Sequence, residues 1–211
     1  MSKPLSTKTL RLDIADASLE RGGRLLFAHL SFSLGPGEAL IVTGPNGAGK
    51  SSLLRAIAGL LPLAQGRVTL MGAGDEGPAG LSAHYLGHAD ALKNALTATE
   101  NLEFWGAMLG APGAGVDAKA ALARLALGHV ADLPVAYLSA GQRRRVALAR
   151  LFMAERVLWL LDEPATALDA AAQARLTDML RVHLGAGGML IAATHAPLGL
   201  AARELRLGQA A

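Results

Sequence analysis

The segment GPNGAGKS at residues 44–51 combines glycines with a lysine and a serine in a spacing that is typical of phosphate-binding loops. An apolar run of strand length, EALIV, precedes it, and leucines at helical spacing follow it in SSLLRAIAGLL, residues 51–61. Glycines let backbone amides converge on one point, and the start of a helix adds partial positive charge. The sequence therefore predicts a nucleotide phosphate site between a strand and a helix. The alternative is a glycine-rich turn before an ordinary helix.

Two pairs of neighbouring residues would supply the chemistry of such a site. The Lys50 ammonium is expected to reach the β and γ phosphates, and the Ser51 hydroxyl is a ligand for Mg²⁺. In LLDEP, residues 160–164, two acids follow an apolar strand. Asp162 is expected to hold Mg²⁺ through water, and Glu163 to deprotonate the water that attacks the γ-phosphorus. The alternative for the acids is a solvated loop, and the phosphate loop alone leaves kinase, GTPase and ATPase open.

Composition narrows the class of protein. The chain has 211 residues, of which 52% are hydrophobic and 18% charged, which favours one globular domain over a disordered chain. No apolar run approaches the ~18 residues that cross a bilayer, and no signal peptide is recognisable, so a cytosolic location is expected. The absence of cysteine excludes disulfides and thiolate metal sites. A net charge of +3 is too small to indicate nucleic acid as a partner.

Strand and helix patterns alternate along the chain, which predicts an α/β fold with a parallel sheet. Unalternating apolar runs such as those at 157–162 and 188–195 are typical of strands covered by helices on both faces. A glycine-rich surface loop is expected at 72–80, and residues 110–115 should separate two helices. The arginines at 143–145 are predicted to form a solvated helix face. Predicted strands lie on both sides of a turn at 21–23 and at 38–42, 66–72, 83–87, 157–162 and 188–195; predicted helices lie at 51–61, within 97–127, and at 143–153 and 170–184.

The segment LSAGQRRRVALAR, residues 138–150, resembles the LSGGQ signature of ABC-type ATPases. In the same order, ALD at 167–169 resembles their D-loop and His195 their switch histidine. The resemblance implies a head-to-tail dimer, in which the signature of one copy closes over ATP held by the phosphate loop of the other. It also implies Glu163, His195 and Lys50 as catalytic groups. The nucleotide contacts so implied are Gly44, Pro45, Asn46, Gly47, Ala48, Gly49, Lys50, Ser51, Ser52, Ser139, Gly141, Gln142 and Asp169.

Two positions depart from the usual ABC pattern. His88 stands where a glutamine usually contacts the metal, so the implied metal ligands are Ser51, Asp162 and His88. A neutral imidazole can accept a hydrogen bond from metal-bound water, although it titrates near neutrality. Arg21 stands near the position of the aromatic residue that stacks on adenine, and a guanidinium can replace that contact by a cation–π interaction.

The combination of His88, Ala140 and Trp159 is similar to one branch, the ATP-binding subunit of the cytochrome c maturation system, often called the haem exporter ATP-binding protein. This resemblance implies a peripheral protein on the inner membrane, docked on an integral-membrane permease subunit, that drives haem supply or release of a haem-loaded chaperone. The alternatives are another ABC importer or exporter, a soluble ABC clamp acting on DNA or ribosomes, and an inactive nucleotide-binding scaffold.

The fold implied by the resemblance is a P-loop NTPase of the ABC type, with a RecA-like core, an antiparallel β subdomain and an inserted α-helical subdomain. The predicted division of the chain assigns residues 1–88 and 157–211 to the nucleotide-binding core. Residues 89–156, with the signature, form the predicted helical subdomain.

Overall fold

The computed structural model describes residues 10–72, 79–109 and 116–208. Most of the predicted loop at 72–80, and the separator at 110–115, lie outside these ranges. In chain order the strands and helices are β1 (Arg11–Arg21), β2 (Arg24–Leu34), β3 (Ala39–Thr43), α1 (Lys50–Ile57), β4 (Gln65–Met71), β5 (Ala83–Leu86), α2 (Ala98–Met108), α3 (Ala118–Arg124), α4 (Ala140–Ala149), β6 (Leu158–Asp162), α5 (Ala170–Gly185), β7 (Met189–Ala193) and β8 (Arg203–Arg206).

Five strands form a parallel sheet in the order β5-β6-β7-β3-β8. Every residue of β6 and β7 is buried, as their continuous apolar sequences predict. The carboxyl ends of β3, β6 and β7 therefore meet at one edge of the sheet. The phosphate loop follows β3, the acid pair closes β6, and His195 follows β7. Parallel pairing thus brings the distant candidate residues together.

The other three strands form an antiparallel sheet in the order β2-β1-β4. Alternating leucines such as Leu12, Leu19 and Leu34 are fully buried, and they pack in one cluster with Leu53 and Leu54 of α1 and with one face of the parallel sheet. The hairpin turn between β1 and β2 was correctly predicted at 21–23. This sheet therefore supports the phosphate loop and α1 from one side.

Helices α2, α3 and α4 pack around a second cluster that includes Leu102, Leu122 and Val146. The Thr97–Glu100 capping box begins α2, with Glu100 N–H donating to Thr97 Oγ1 at 3.1 Å. The same cluster contains Leu161 of β6 and Leu180 of α5. The helices thus share a core with the sheet, and the division at residues 88 and 157 stays a prediction.

Three elements differ from the sequence-based prediction. Helix α4 covers Ala140–Ala149 instead of the predicted 143–153, because the Ser139 side chain caps it. Helix α1 ends at Ile57 instead of continuing to Leu61, because Gly59 takes a left-handed backbone with φ of 72°. Leu60, which with Leu61 is one of two alternatives for the last apolar position of the predicted helix, is 64% exposed. Strand β8 was not predicted, because its sequence RELR has no apolar alternation; it pairs in parallel with β3 at the sheet edge.

Two histidines, one from strand β5 and one from helix α5, pack against Trp159 of β6. The rings of Trp159 and His183 stack with centroids 3.9 Å apart, and His84, opposite Trp159 on β5, presents an edge at 6.5 Å. His84 Nε2 donates to the carbonyl oxygen of Ala154 at 2.8 Å. Burial lowers the pKa of His84 to about 4 and lowers the pKa of His183 as well. Both rings are therefore neutral at physiological pH.

We predict that the depressed pKa of His84 makes the protein acid-sensitive. The unfolded chain, with a histidine pKa of about 6.5, binds the proton more readily than the folded chain, so stability is full above about pH 6.5 and falls as the pH drops towards about 4. The loss from this residue amounts to about 3 kcal/mol. His84→Gln keeps an N–H donor and removes this titration, so urea unfolding should show a flatter acid limb. Equal acid losses in both proteins would contradict the assignment.

Candidate active site

A cavity of about 720 Å³ lies at the carboxyl edge of the parallel sheet. Most of the predicted nucleotide and catalytic residues line it. Gly44, Pro45 and Ala48 belong to the same loop but are not among its lining residues. The described residues that line the cavity are Arg21, Leu26, Asn46, Gly47, Gly49, Lys50, Ser51, Ser52, His88, Asp162, Glu163, Thr166 and His195.

The phosphate loop depends on glycines for its path. Gly44, Gly47 and Gly49 have φ values of 132°, 80° and 98°, and residues with a Cβ rarely adopt such angles. A Cβ at Gly44 would also collide with the carbonyl oxygen of Leu207, just after β8. Gly49 caps α1 without a capping side chain, which leaves the amides at the helix start available to an anion.

Lys50, the first residue of α1, folds back over this loop. Its ammonium donates to the carbonyl oxygens of Gly44 at 2.7 Å and Pro45 at 3.1 Å. The residue is only 9% exposed, so the charge is held at the cavity wall instead of in bulk water. An ammonium in this position is suited to binding a phosphate chain laid along the loop.

Asp162 and Glu163, the acid pair at the end of β6, differ in burial and in backbone conformation. Asp162 is 3% exposed, and its Oδ2 is a buried oxygen without a hydrogen-bond partner among the described residues. Glu163 has a left-handed backbone with φ of 49°, an uncommon conformation for a residue with a side chain. Its N–H donates to the carbonyl oxygen of Ala193 at 2.8 Å. The two acids therefore differ: Asp162 is buried and its Oδ2 accepts no hydrogen bond from the described residues, whereas the backbone of Glu163 is held at the strand end.

The end of β7 orients the Glu163 carboxylate. The Thr194 hydroxyl donates to Glu163 Oε2 at 3.2 Å, and His195 Nε2 lies 3.9 Å from Glu163 Oε1. The sequence-based prediction does not include Thr194, although a first polar residue after a buried strand is a recognisable signal. His88 and Arg21, both exposed, reach the cavity from the ends of β5 and β1.

The signature and the D-loop lie outside the phosphate-loop cavity of their own chain. Ser139 caps α4 in a reciprocal box with Gln142, the two hydrogen bonds being 2.8 and 3.2 Å long. Asp169 caps α5 by accepting from Ala172 N–H at 2.7 Å. Ser139, Gly141, Gln142 and Asp169 are not among the described residues that line the phosphate-loop cavity. One chain therefore holds the phosphate loop and the acids in one place and the signature in another.

The prediction that arginines 143–145 form a solvated face is wrong for two of them. Arg144 is 3% exposed and donates to backbone carbonyls around the acid pair. Arg145 donates to the carbonyl oxygens of Leu125 and Ala126, beyond the end of α3. Carbonyl groups at helix and strand ends need donors, and the fold brings them to these two side chains.

The sequence profile of the ABC transporter family matches residues 27–166. The chain belongs to the ABC transporter family. Two curated relatives carry the name "Cytochrome c biogenesis ATP-binding export protein CcmA". The one from Rhodopseudomonas palustris strain BisB18 is 58% identical over 191 residues, covering 90% of this chain and 94% of the relative. The one from Mesorhizobium japonicum is 51% identical over 202 residues, covering 95% and 100%.

The fold agrees with solved ABC structures. An ABC transporter ATP-binding protein from Pyrococcus furiosus superposes with a TM-score of 0.78 at 20% identity, covering 93% of this chain and 97% of that one. An ATP-binding subunit of another ABC transporter gives a TM-score of 0.75 at 24% identity, covering 87% and 79%. This confirms the predicted ABC-type α/β fold, with its antiparallel and parallel sheets.

As an ABC ATPase the chain binds and hydrolyses ATP. In the part of the chain that the structure describes, no helix is both long and apolar enough to cross a membrane. Over the same ranges, no group of three or more histidine and acidic residues is arranged to hold a metal ion.

Gly141 gives a test of the signature. A Cβ there would lie 2.8 Å from the carbonyl oxygen of Ala167 in the D-loop, so Gly141→Ala must displace one of the two segments. We expect ATP turnover to fall about tenfold or more, while the nucleotide affinity of the separate chain is unchanged, because Gly141 does not line the cavity of its own chain. Gly128→Ala, where a Cβ meets open space, is the control. Steady-state turnover and nucleotide titration measure both; full activity of Gly141→Ala would contradict the prediction.

Proposed function

We propose that this chain is the energy-coupling ATPase subunit of a membrane ABC complex that acts in haem handling for c-type cytochrome biogenesis. The observation that carries the proposal is the identity of 51–58% to cytochrome c biogenesis ATP-binding export proteins over about nine-tenths of the chain. The combination of His88, Ala140 and Trp159, which resembles that branch, supports it.

ATP binding uses the loop at the end of β3. The amides at the start of α1 and the Lys50 ammonium complement the negative charge of the phosphates. Asn46, Ser51 and Ser52 line the same wall. The exposed Arg21 side chain also lines the cavity, and its guanidinium can stack on the adenine ring. The nucleotide would thus lie with its γ-phosphate towards the ends of β6 and β7.

Mg²⁺ fits the residues of this cavity. The buried Asp162 Oδ2 lacks a hydrogen-bond partner among the described groups, and such an oxygen is suited to a hard cation or its water. Ser51 would supply a hydroxyl ligand, and His88 would contact the ion through water. When bound, the ion neutralises charge on the phosphate oxygens.

Glu163 is the general base of the proposed reaction. Its Oε2 accepts from the Thr194 hydroxyl, which leaves Oε1 to take a proton from the attacking water. His195 lies next to Oε1 and has a side chain that is 56% exposed, so it can contact the γ-phosphate as well as the base. Proton transfer to a positioned carboxylate typically contributes about 10² to 10⁴ in rate.

The complete site would need two copies of the chain. Ser139, Gly141, Gln142 and Asp169 of one copy would close over ATP bound by the other, which their separation from the cavity within one chain supports. The proposed membrane partner is an integral-membrane permease subunit of the same complex. The chain would associate peripherally with the cytoplasmic face of the inner membrane, and a net charge of +3 does not favour nucleic acid.

The test is haem staining of c-type cytochromes in source cells that lack this protein. Covalent haem should be lost and should return with the wild-type gene and with Lys119→Ala, which changes an exposed lysine outside the cavity. Lys50→Ala and Glu163→Gln, expressed at equal levels, should fail to restore it. Normal cytochromes in the deletion strain would contradict the proposal and point to another cargo.

A further inference from the structure

The guanidinium of Arg144 joins three segments around the candidate active site. The side chain is 4% exposed, and each of its five N–H groups has an acceptor at 2.8 to 3.4 Å. A lysine has three donors and a glutamine two, so neither could replace this set. The acceptors are the carbonyl oxygens of Asp162, Glu163, Pro164 and Gly87 and the carboxylate of Asp90.

Two of these acceptors belong to the acid pair. Arg144 Nη2 donates at 2.8 Å to the carbonyl oxygens of both Asp162 and Glu163. Glu163 has a left-handed backbone, which is strained for a residue with a Cβ and persists only where neighbouring contacts enforce it. The N–H of Glu163 is held by Ala193 and its carbonyl by Arg144, so the peptide groups on both sides are fixed.

The other side of Arg144 holds the loop that carries His88. Nη1 donates to the Gly87 carbonyl oxygen at 3.1 Å and to Asp90 Oδ1 at 3.0 Å, which are the residue before His88 and the second residue after it. The far end of this loop is held separately by Arg150, whose Nη1 donates to the Asp90 carbonyl oxygen at 2.9 Å. Arg144 is therefore a direct link between the His88 loop and the Glu163 backbone.

We propose that Arg144 is a positioning residue for ATP hydrolysis. It holds Glu163 in the left-handed conformation that directs the carboxylate towards Thr194 and the cavity, and it fixes the His88 loop relative to that carboxylate. Arg144 does not line the cavity, so it acts through Glu163 and not on the nucleotide. The inference rests on the proposed role of Glu163 as the base.

The experiment measures ATP turnover and nucleotide affinity of the full-length chain. Arg144→Gln should lower kcat by about 10²-fold, within the range that a positioned base contributes, while KM and nucleotide affinity change less than about twofold. Arg144→Lys keeps the charge opposite Asp90 but loses part of the carbonyl set, so its kcat should be intermediate. If Arg144→Gln does not fold, the same comparison is made with Arg144→Lys.

Arg145→Gln is the matched control. It removes a neighbouring arginine that also donates to two backbone carbonyls, but at the end of α3 and away from the acids. We expect it to lower Tm, by less than Arg144→Gln because it breaks fewer hydrogen bonds, with kcat within about twofold of wild type. Equal kcat values for Arg144→Gln and Arg145→Gln would overturn the proposal, because loss of stability alone would then explain both.

A double-mutant cycle tests whether Arg144 acts through Glu163. Adding Arg144→Gln to Glu163→Gln should cause no further loss of turnover, whereas independent effects would multiply. Multiplying losses would overturn the proposal. An inactive Glu163→Gln beside a fully active Arg144→Gln would overturn only the role of Arg144. An active Glu163→Gln would overturn the assignment of Glu163 as base and with it this inference, without bearing on the cytochrome c role.

Discussion

The parallel pairing of β5, β6, β7 and β3 is the constraint on which the site depends. Parallel strands end at one edge, so the residues that follow them must meet there whatever their distance along the chain. His88, Glu163, His195 and the phosphate loop follow four different strands and line one cavity. The buried apolar sequences of β6 and β7 hold that edge rigid, and the loops beyond it carry the polar groups.

Much of this arrangement was predictable from sequence, because its signals are local. The phosphate loop lies between a strand and a helix as expected, and the capping box of Thr97 and Glu100 marks the start of α2. Other features depend on tertiary contacts. The sequence does not distinguish three consecutive arginines at 143–145. Only the folded structure shows that two of them donate to backbone carbonyl oxygens. The left-handed backbone of Glu163 cannot be predicted from its sequence either, because glycine is the residue that usually adopts this conformation.

We propose that one chain is an incomplete enzyme because its signature lies away from its own phosphate loop. Ser139 and Asp169 serve as helix caps within their own chain, away from the phosphate-loop cavity. Helix α4 begins with the signature and also carries Arg144, which reaches the acid pair. The same helix thus connects the surface proposed to contact a second copy with the backbone of Glu163.

The central claim, that each ATP site is shared between two copies, is tested most directly by mixing two inactive variants. Lys50→Ala removes the ammonium that binds phosphate, and Ser139→Arg blocks the signature. A mixed dimer would retain one site in which the phosphate loop and the signature are both intact. We predict that ATP turnover, absent from each variant alone, returns on mixing and rises with protein concentration. If both variants are folded and their mixture is as inactive as each variant alone, the shared ATP site is contradicted.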